Sequence, residues 1–178
     1  MFGNDVAVGD FNADGRLDTA ASSPGLTGGP STGTVSLFFN LTGMFDGKQE
    51  VIVRNHQEQG LANFGHDLAV CDWNADSKDD LCVGAIWNTN SKGVVGGGQL
   101  ILYVGPIGED AQAAERHVFE DSLTSAEDKI VRWGMSVDAR HQTILVGSPR
   151  KDVPPVLDAG MGFAFRPGET VRNYAPKP

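Results

Sequence analysis

The sequence of 178 residues predicts an all-β fold, a partial β-propeller made of three consecutive four-stranded antiparallel blades. Three observations carry this prediction. One segment repeats along the chain, each repeat contains short runs typical of strands, and glycines and prolines separate these runs. The 40% apolar content is that of a chain that buries a core, and no linker divides the chain into separate units.

The repeat is clearest where each copy begins. Residues 2–14 align without a gap with residues 64–76, and a third copy begins at Trp133-Gly134. Each copy opens with an aromatic residue followed by glycine, and these aromatic residues are Phe2, Phe64 and Trp133. Because stacked repeats bury their faces against their neighbours, we expect the three side chains to anchor the packing between blades.

Three further elements of each repeat are predicted to be strands. The first is a run of small and apolar residues at 18–24, 80–86 and 143–149. The next is a glycine followed by alternating residues at 33–39, 98–104 and 160–165. A weaker fourth strand precedes the next aromatic residue, at 50–53 and 117–119. The predicted blades cover about 1–50, 51–115 and 116–168, with 169–178 as the start of a further strand or a tail.

An acidic loop joins the first two strands in each of the first two repeats. Oxygen-bearing side chains fall at loop positions 1, 3, 5 and 9, and position 7 can offer its backbone carbonyl. The predicted ligands of the first loop are Asp10, Asn12, Asp14, Arg16 and Asp18. Those of the second loop are Asp72, Asn74, Asp76, Lys78 and Asp80. Calcium prefers roughly six to eight oxygen ligands, so the sequence predicts two Ca2+ sites.

Residue types between the ligands agree with a tight turn. Gly15 occupies position 6, where a residue without Cβ adopts a positive φ at no steric cost. Ser77 stands at this position in the second loop, so the second site is predicted to be the weaker one. Phe11 and Leu17 are expected to point back into the core. For a single loop of this kind, the alternative is an Asx-type hairpin turn without metal, but two loops in register favour the ion.

The order of these motifs resembles the FG-GAP repeat of integrin α-subunits. It starts with Phe-Gly, continues with Asp-x-Asn-x-Asp-Gly-x-x-Asp and ends in a small-residue turn near proline. It is also similar to the C-terminal propeller of glycosylphosphatidylinositol-specific phospholipase D. The resemblance implies a propeller of the integrin-α type, with calcium loops and with face loops that contact protein partners. Residues 138–142 depart from the pattern with a shorter turn, so no third metal site is expected.

The sequence contains no recognisable catalytic constellation. Its histidines share no spacing with Cys or carboxylates that a zinc site needs, and no nucleophile motif is present. The favoured interpretation is therefore a calcium-binding module for protein interaction or structure, and not an enzyme. The alternative, which the phospholipase resemblance implies, is the accessory propeller of a hydrolase whose catalytic domain is absent from this chain.

Charge and blade number limit the partners. A formal net charge of −9 without any Lys/Arg cluster argues against nucleic acid, and no apolar run is long enough to span a bilayer. Because propellers close with about four to eight blades, we expect these three to be completed by further blades of a longer chain or by a second chain.

Two smaller features concern the compartment and the cysteines. The glycosylation sequon at Asn40 favours an extracellular or cell-surface location. Cys71 and Cys82 lie on the strands that flank the second acidic loop, at positions where the first repeat has Gly9 and Ala20. Packing of small side chains is the first interpretation of the two cysteines, and a cross-strand disulfide is the alternative.

Overall fold

The computed structural model describes residues 2–25, 32–40, 50–55, 62–123, 131–153 and 156–175. These residues contain twelve strands and a three-residue 3-10 helix at Ala111–Ala113. In this part of the chain, no helix has the length and apolar character needed to cross a membrane. The strands form three four-stranded antiparallel sheets, which confirms the predicted all-β fold of three blades.

Each sheet is built from four strands that follow one another in the chain. The first sheet contains β1 (Val6–Gly9), β2 (Asp18–Ser23), β3 (Thr34–Phe38) and β4 (Glu50–Arg54). The second sheet contains β5 (Phe64–Cys71), β6 (Asp80–Ala85), β7 (Gln99–Tyr103) and β8 (Arg116–Phe119). The third sheet contains β9 (Ser136–Arg140), β10 (Thr143–Ser148), β11 (Met161–Phe165) and β12 (Arg172–Tyr174).

The strand pairing places the divisions between sheets later in the chain than the blade boundaries predicted from the sequence. β4 pairs with β3, so residues 50–54 close the first sheet and do not open a blade at 51. β8 pairs with β7 and closes the second sheet, so no blade begins at 116. β12 pairs with β11 as the outer strand of the third sheet. Each division between sheets therefore lies after an outer strand.

The aromatic residues that open the repeats differ in burial. Phe64 is fully buried in an apolar cluster between the first and second sheets, and Trp133 is fully buried between the second and third. Both are packing anchors, as predicted. The prediction is wrong for Phe2, which is 63% exposed and contacts Phe38 edge to face, with ring centres 6.2 Å apart. Phe2 lies on the face of the first sheet that no other described sheet covers.

The glycine before the third strand recurs because it contacts the aromatic residue that opens the next repeat. A Cβ on Gly33 would lie 2.2 Å from the carbonyl oxygen of Phe64, and a Cβ on Gly98 would lie 2.0 Å from that of Trp133. Both glycines have a positive φ, +94° and +77°. The repeated glycine is therefore the point where one sheet contacts the backbone of the next, and no other residue type fits there.

A carboxylate also links each of the first two repeats to the sheet that follows. The Leu68 N–H donates to Asp5 Oδ2 at 2.7 Å, and the Val137 N–H donates to Asp67 Oδ2 at 2.5 Å. Burial raises the pKa of Asp67 to about 6, with a further contribution from Asp5, although the Val137 N–H lowers it. The folded chain therefore retains a proton on Asp67 under mildly acidic conditions.

This proton predicts a pH dependence of stability. A carboxyl whose pKa is raised on folding stabilises the fold below pH 4, and this stabilisation is lost as the pH rises to about 6. Because Asp67 is only half-buried, we expect the effect to be about 1 kcal/mol. Asp67→Asn keeps a hydrogen-bond acceptor and removes the titrating group. Between pH 4 and about pH 6, the free energy of unfolding, measured with urea in chelator, should therefore decline less for Asp67→Asn than for the wild type. Asp138→Asn, a change to an exposed acid, is the control. An unchanged decline in Asp67→Asn would contradict the assignment.

Candidate metal sites

The two acidic loops lie at the same end of neighbouring sheets. Residues 10–17 join β1 to β2, and residues 72–79 join β5 to β6. In the third sheet, only His141 and Gln142 separate β9 from β10, which confirms the predicted short turn. The candidate sites therefore belong to the first two sheets.

Three predicted ligands of the first loop converge on its backbone. Asp10 accepts hydrogen bonds from the N–H groups of Asp14 at 3.0 Å and Gly15 at 2.8 Å. The same Asp14 N–H donates to Asn12 Oδ1 at 3.0 Å, and the Arg16 N–H donates to Asp14 Oδ1 at 3.0 Å. Gly15 has a φ of +85°, as expected for the sharp turn.

The second loop has the same four hydrogen bonds. Asp72 accepts from the N–H groups of Asp76 at 2.9 Å and Ser77 at 3.0 Å. The Asp76 N–H also donates to Asn74 Oδ1 at 3.1 Å, and the Lys78 N–H donates to Asp76 Oδ1 at 3.0 Å. Ser77 has a φ of +66°, so this residue adopts the left-handed conformation for which glycine is favoured.

Position 9 of each loop holds a fully buried carboxylate, Asp18 or Asp80. The Phe11 N–H donates to Asp18 Oδ2 at 2.9 Å, and the Trp73 N–H donates to Asp80 Oδ2 at 2.7 Å. The end of each loop is thereby bound to its start. Burial raises the pKa of both carboxyl groups, although their backbone donors act in the opposite direction.

Position 5 is ionised more readily than position 9. Desolvation acts to raise the pKa of Asp14, but hydrogen bonds led by those of Asn40 and Asn12 lower it overall. Desolvation also opposes a low pKa for Asp76, but its hydrogen bonds and the Lys78 ammonium, 3.6 Å from Asp76 Oδ2, lower it overall. Both carboxylates are therefore charged at neutral pH.

The structure brings together the side chains at positions 1, 3 and 5 of each loop. The buried carboxylate at position 9 accepts hydrogen bonds from backbone N–H groups. Within the described ranges, no three His, Cys, Asp or Glu side chains form a group that could hold a metal. The ten predicted ligands therefore form two equivalent turns, and their assignment to an ion stays a prediction.

Three residues that contact the loops could not be assigned from the sequence patterns. The Asn40 N–H donates to Asp18 Oδ1 at 2.9 Å, and the Gly105 N–H donates to Asp80 Oδ1 at 2.8 Å. Each donor lies two residues after the third strand of its sheet, which is the available sequence signal. The third residue is Asp79, which accepts a hydrogen bond from the first loop.

One prediction about the first loop is wrong. Phe11 is fully buried as expected, but Leu17 is 63% exposed. Leu17 occupies position 8, and its counterpart Asp79 faces the preceding repeat. On the first loop, no described residue covers that side.

The cysteines and the sequon lie close to the loops. Cys71 and Cys82 are buried free thiols with their sulfur atoms 3.7 Å apart, in agreement with simple packing. Asn40 accepts a hydrogen bond from Arg16 Nη1 at 3.2 Å through its side-chain oxygen. The other sequon residues, 41 and 42, lie outside the described part of the chain, and glycosylation stays a prediction.

Comparison with known proteins agrees with this architecture. Residues 2–38 match the family model described as FG-GAP repeat. Integrin alpha-IIb of Mus musculus is 31% identical over 112 residues, which is 61% of this chain and 10% of the relative. The match thus covers about a tenth of the length of that curated relative. The chain therefore carries an FG-GAP repeat and resembles the integrin α-subunits in sequence, with three four-stranded sheets of the kind expected for a partial propeller.

Proposed function

We propose that this chain is a calcium-binding propeller segment that serves as a protein-interaction or structural module. The observation that carries the proposal is the identical hydrogen-bond pattern of two acidic loops in equivalent positions of neighbouring sheets. In each loop, position 1 accepts the N–H groups of positions 5 and 6, position 3 accepts that of position 5, and position 5 accepts that of position 7. In both loops, this pattern holds the side-chain oxygens of positions 1, 3 and 5 around a single turn.

The donor set fits a hard divalent cation. The side chains at positions 1, 3, 5 and 9 all offer oxygen atoms as metal ligands. An ionised carboxylate also has lone pairs beyond those that accept one backbone N–H. Asp10, Asn12, Asp14, the Arg16 carbonyl and Asp18 would hold the first ion. Asp72, Asn74, Asp76, the Lys78 carbonyl and Asp80 would hold the second. The ion would supply positive charge that fixes the turn.

Electrostatics favour such an ion. Within nine residues, the first loop places three carboxylates and the second loop places four against a single cationic side chain. At position 9 the buried carboxyl groups have raised pKa values because burial disfavours their charged form. A divalent cation favours that charged form and offsets the repulsion among the acids. Calcium would therefore stabilise the end of the propeller at which both loops lie.

Two apolar sheet faces support the interaction role. On the first sheet Val6 is 60% exposed, whereas Leu68 at the equivalent position of the second sheet is buried against the first. On the third sheet Leu145 is 46% exposed, whereas its counterpart Cys82 is fully buried in the cluster between the second and third sheets. We infer that further blades of the same kind, from a longer chain or a second chain, or a protein partner cover these faces.

The relative extends the proposal to location. We include an extracellular or cell-surface location in the same proposal, and the sequon at Asn40 and the similarity of about three fifths of this chain to integrin alpha-IIb support it.

Calorimetric titration with calcium in a chelator-treated buffer tests the proposed function. We expect two ions per chain for the wild type. Asp14→Ala and Asp76→Ala should each bind one ion, because each change removes a position-5 carboxylate from one loop. Asp138→Ala, which removes an exposed acid of β9, should still bind two. A wild-type chain that binds no calcium would contradict the proposal.

The left-handed backbone conformation of Ser77 leads to a second expectation. Ser77→Gly removes a Cβ from a residue with a φ of +66°, so the second site should bind calcium up to about fivefold more tightly, equivalent to about 1 kcal/mol. Ser77→Ala keeps the Cβ and should show no such gain. Titration in the Asp14→Ala background isolates this site, and equal affinities with and without the Ser77→Gly change would remove the strain argument.

A further inference from the structure

A carboxylate of the second repeat holds the backbone of the first acidic loop. The Asp10 N–H donates to Asp79 Oδ2 at 2.7 Å, and a Cβ on Gly9 would lie 3.0 Å from the same oxygen. Asp10 is also position 1 of the first loop, and its own carboxylate accepts two backbone hydrogen bonds from that loop. The backbone of this first candidate ligand is therefore held by a residue of the next repeat.

Asp79 is in turn fixed by the second loop. It lies between Lys78 and Asp80, which are positions 7 and 9 of that loop. Asp80 is fully buried, and the Gly105 N–H donates to its Oδ1 at 2.8 Å. A Cβ on Gly105 would lie 2.5 Å from the Asp79 carbonyl oxygen, so the backbone of Asp79 packs closely against this connection. The backbone of Asp79 is therefore held between the second loop and the connection at Gly105.

The second loop is held in an equivalent way by the third repeat. The Asp72 N–H donates to the His141 carbonyl oxygen at 3.2 Å, and Gln142 Nε2 donates to the Trp73 carbonyl oxygen at 3.4 Å. In both cases the N–H of position 1 is bound by the repeat that follows. The first loop is held by a side-chain oxygen of Asp79, and the second by a main-chain carbonyl.

We propose that Asp79 is a positioning residue for the first loop and couples the two candidate sites, so that calcium in the second loop strengthens calcium binding in the first. The proposal rests on the calcium function proposed above. An ion bound by the Lys78 carbonyl and Asp80 restrains the residue between them, and its carboxylate then fixes Asp10. Because coupling of this kind is reciprocal, the first ion also strengthens binding of the second.

A double-mutant cycle on the dissociation constant of the first site tests the coupling. Asp76→Ala, which disables the second site, should weaken the first site about fivefold. In the Asp79→Leu background, the same change should alter the first site less than about twofold. Asp79→Asn keeps an acceptor for the Asp10 N–H, so it should retain most of the coupling even though it removes a charge. His141→Ala keeps the carbonyl that holds Asp72 and should leave the second site unchanged.

A measurement without calcium separates failure of the coupling from failure of the calcium function. In chelator, Asp79→Leu should speed hydrogen exchange of the Asp10 amide about tenfold or more, with a smaller change in Asp79→Asn. If the wild type binds no calcium, the proposed function fails and the coupling fails with it, while faster exchange would still establish Asp79 as the positioning residue. If both ions bind but Asp76→Ala leaves the first site unchanged, the coupling alone is overturned. Unchanged exchange in Asp79→Leu overturns the positioning role.

Discussion

Gly98→Ala should destabilise the fold by at least about 3 kcal/mol. The new Cβ would lie 2.0 Å from the carbonyl oxygen of Trp133 and 2.8 Å from its backbone nitrogen. Both are main-chain atoms, so no side-chain rotation relieves the contact, and the second and third sheets must separate locally. Separation exposes Trp133, which is fully buried between them.

Gly160→Ala is the matched control for this change. Gly160 occupies the same position in the third repeat and has the same φ of +77°, but its Cβ would come no closer than 3.3 Å to the Pro149 carbonyl oxygen. Its substitution should cost only the backbone strain, about 1–2 kcal/mol. Urea unfolding of both variants measures the difference, and equal losses of stability would show that the contact between sheets does not explain the repeated glycine.

The fold could be predicted because the residues that form the contacts between neighbouring sheets recur in the sequence of each repeat. An aromatic-glycine pair, a small-residue strand and a glycine before the third strand recur in the same order in each repeat. Gly98 and Trp133 are two such residues in neighbouring repeats, and they lie in contact. The sequence indicated less clearly to which sheet each outer strand belongs. Residues 50–54 lie between the third strand of one repeat and the start of the next, and only the pairing with β3 assigns them.

Exposure could not be predicted where it depends on neighbours. Phe2 and Phe64 stand in equivalent sequence positions, yet one is exposed and the other fully buried. The difference comes from whether a described sheet covers that face, which the local sequence does not encode. Leu17 is exposed for the same reason.

The candidate sites show a similar limit. The turns at positions 1 to 7 are local, so their residue types could be recognised from spacing alone. The groups that hold position 9 and position 1 are distant in sequence: Asn40 donates to Asp18 across 22 residues, and Asp79 accepts from Asp10 across 69. Such contacts are set by the packing of sheets and cannot be read from one loop.

Calcium removal is the second change for which we expect a large effect. Each ion at a hundredfold excess over its dissociation constant stabilises the folded chain by about 2.7 kcal/mol, because the unfolded chain cannot assemble the ligands. Two sites together should contribute about 5 kcal/mol, which corresponds to a rise in melting temperature of about 10–20 °C for a domain of this size. The Asp14→Ala/Asp76→Ala double variant lacks a position-5 ligand in both loops and should lose this dependence.

Calcium binding by the acidic loops is tested most directly by the melting temperature of the wild-type chain in millimolar calcium and in chelator at constant ionic strength. We expect a midpoint at least about 10 °C higher in calcium for the wild type and coincident midpoints for the double variant. Equal midpoints for the wild type under the two conditions would contradict the claim that its acidic loops bind calcium.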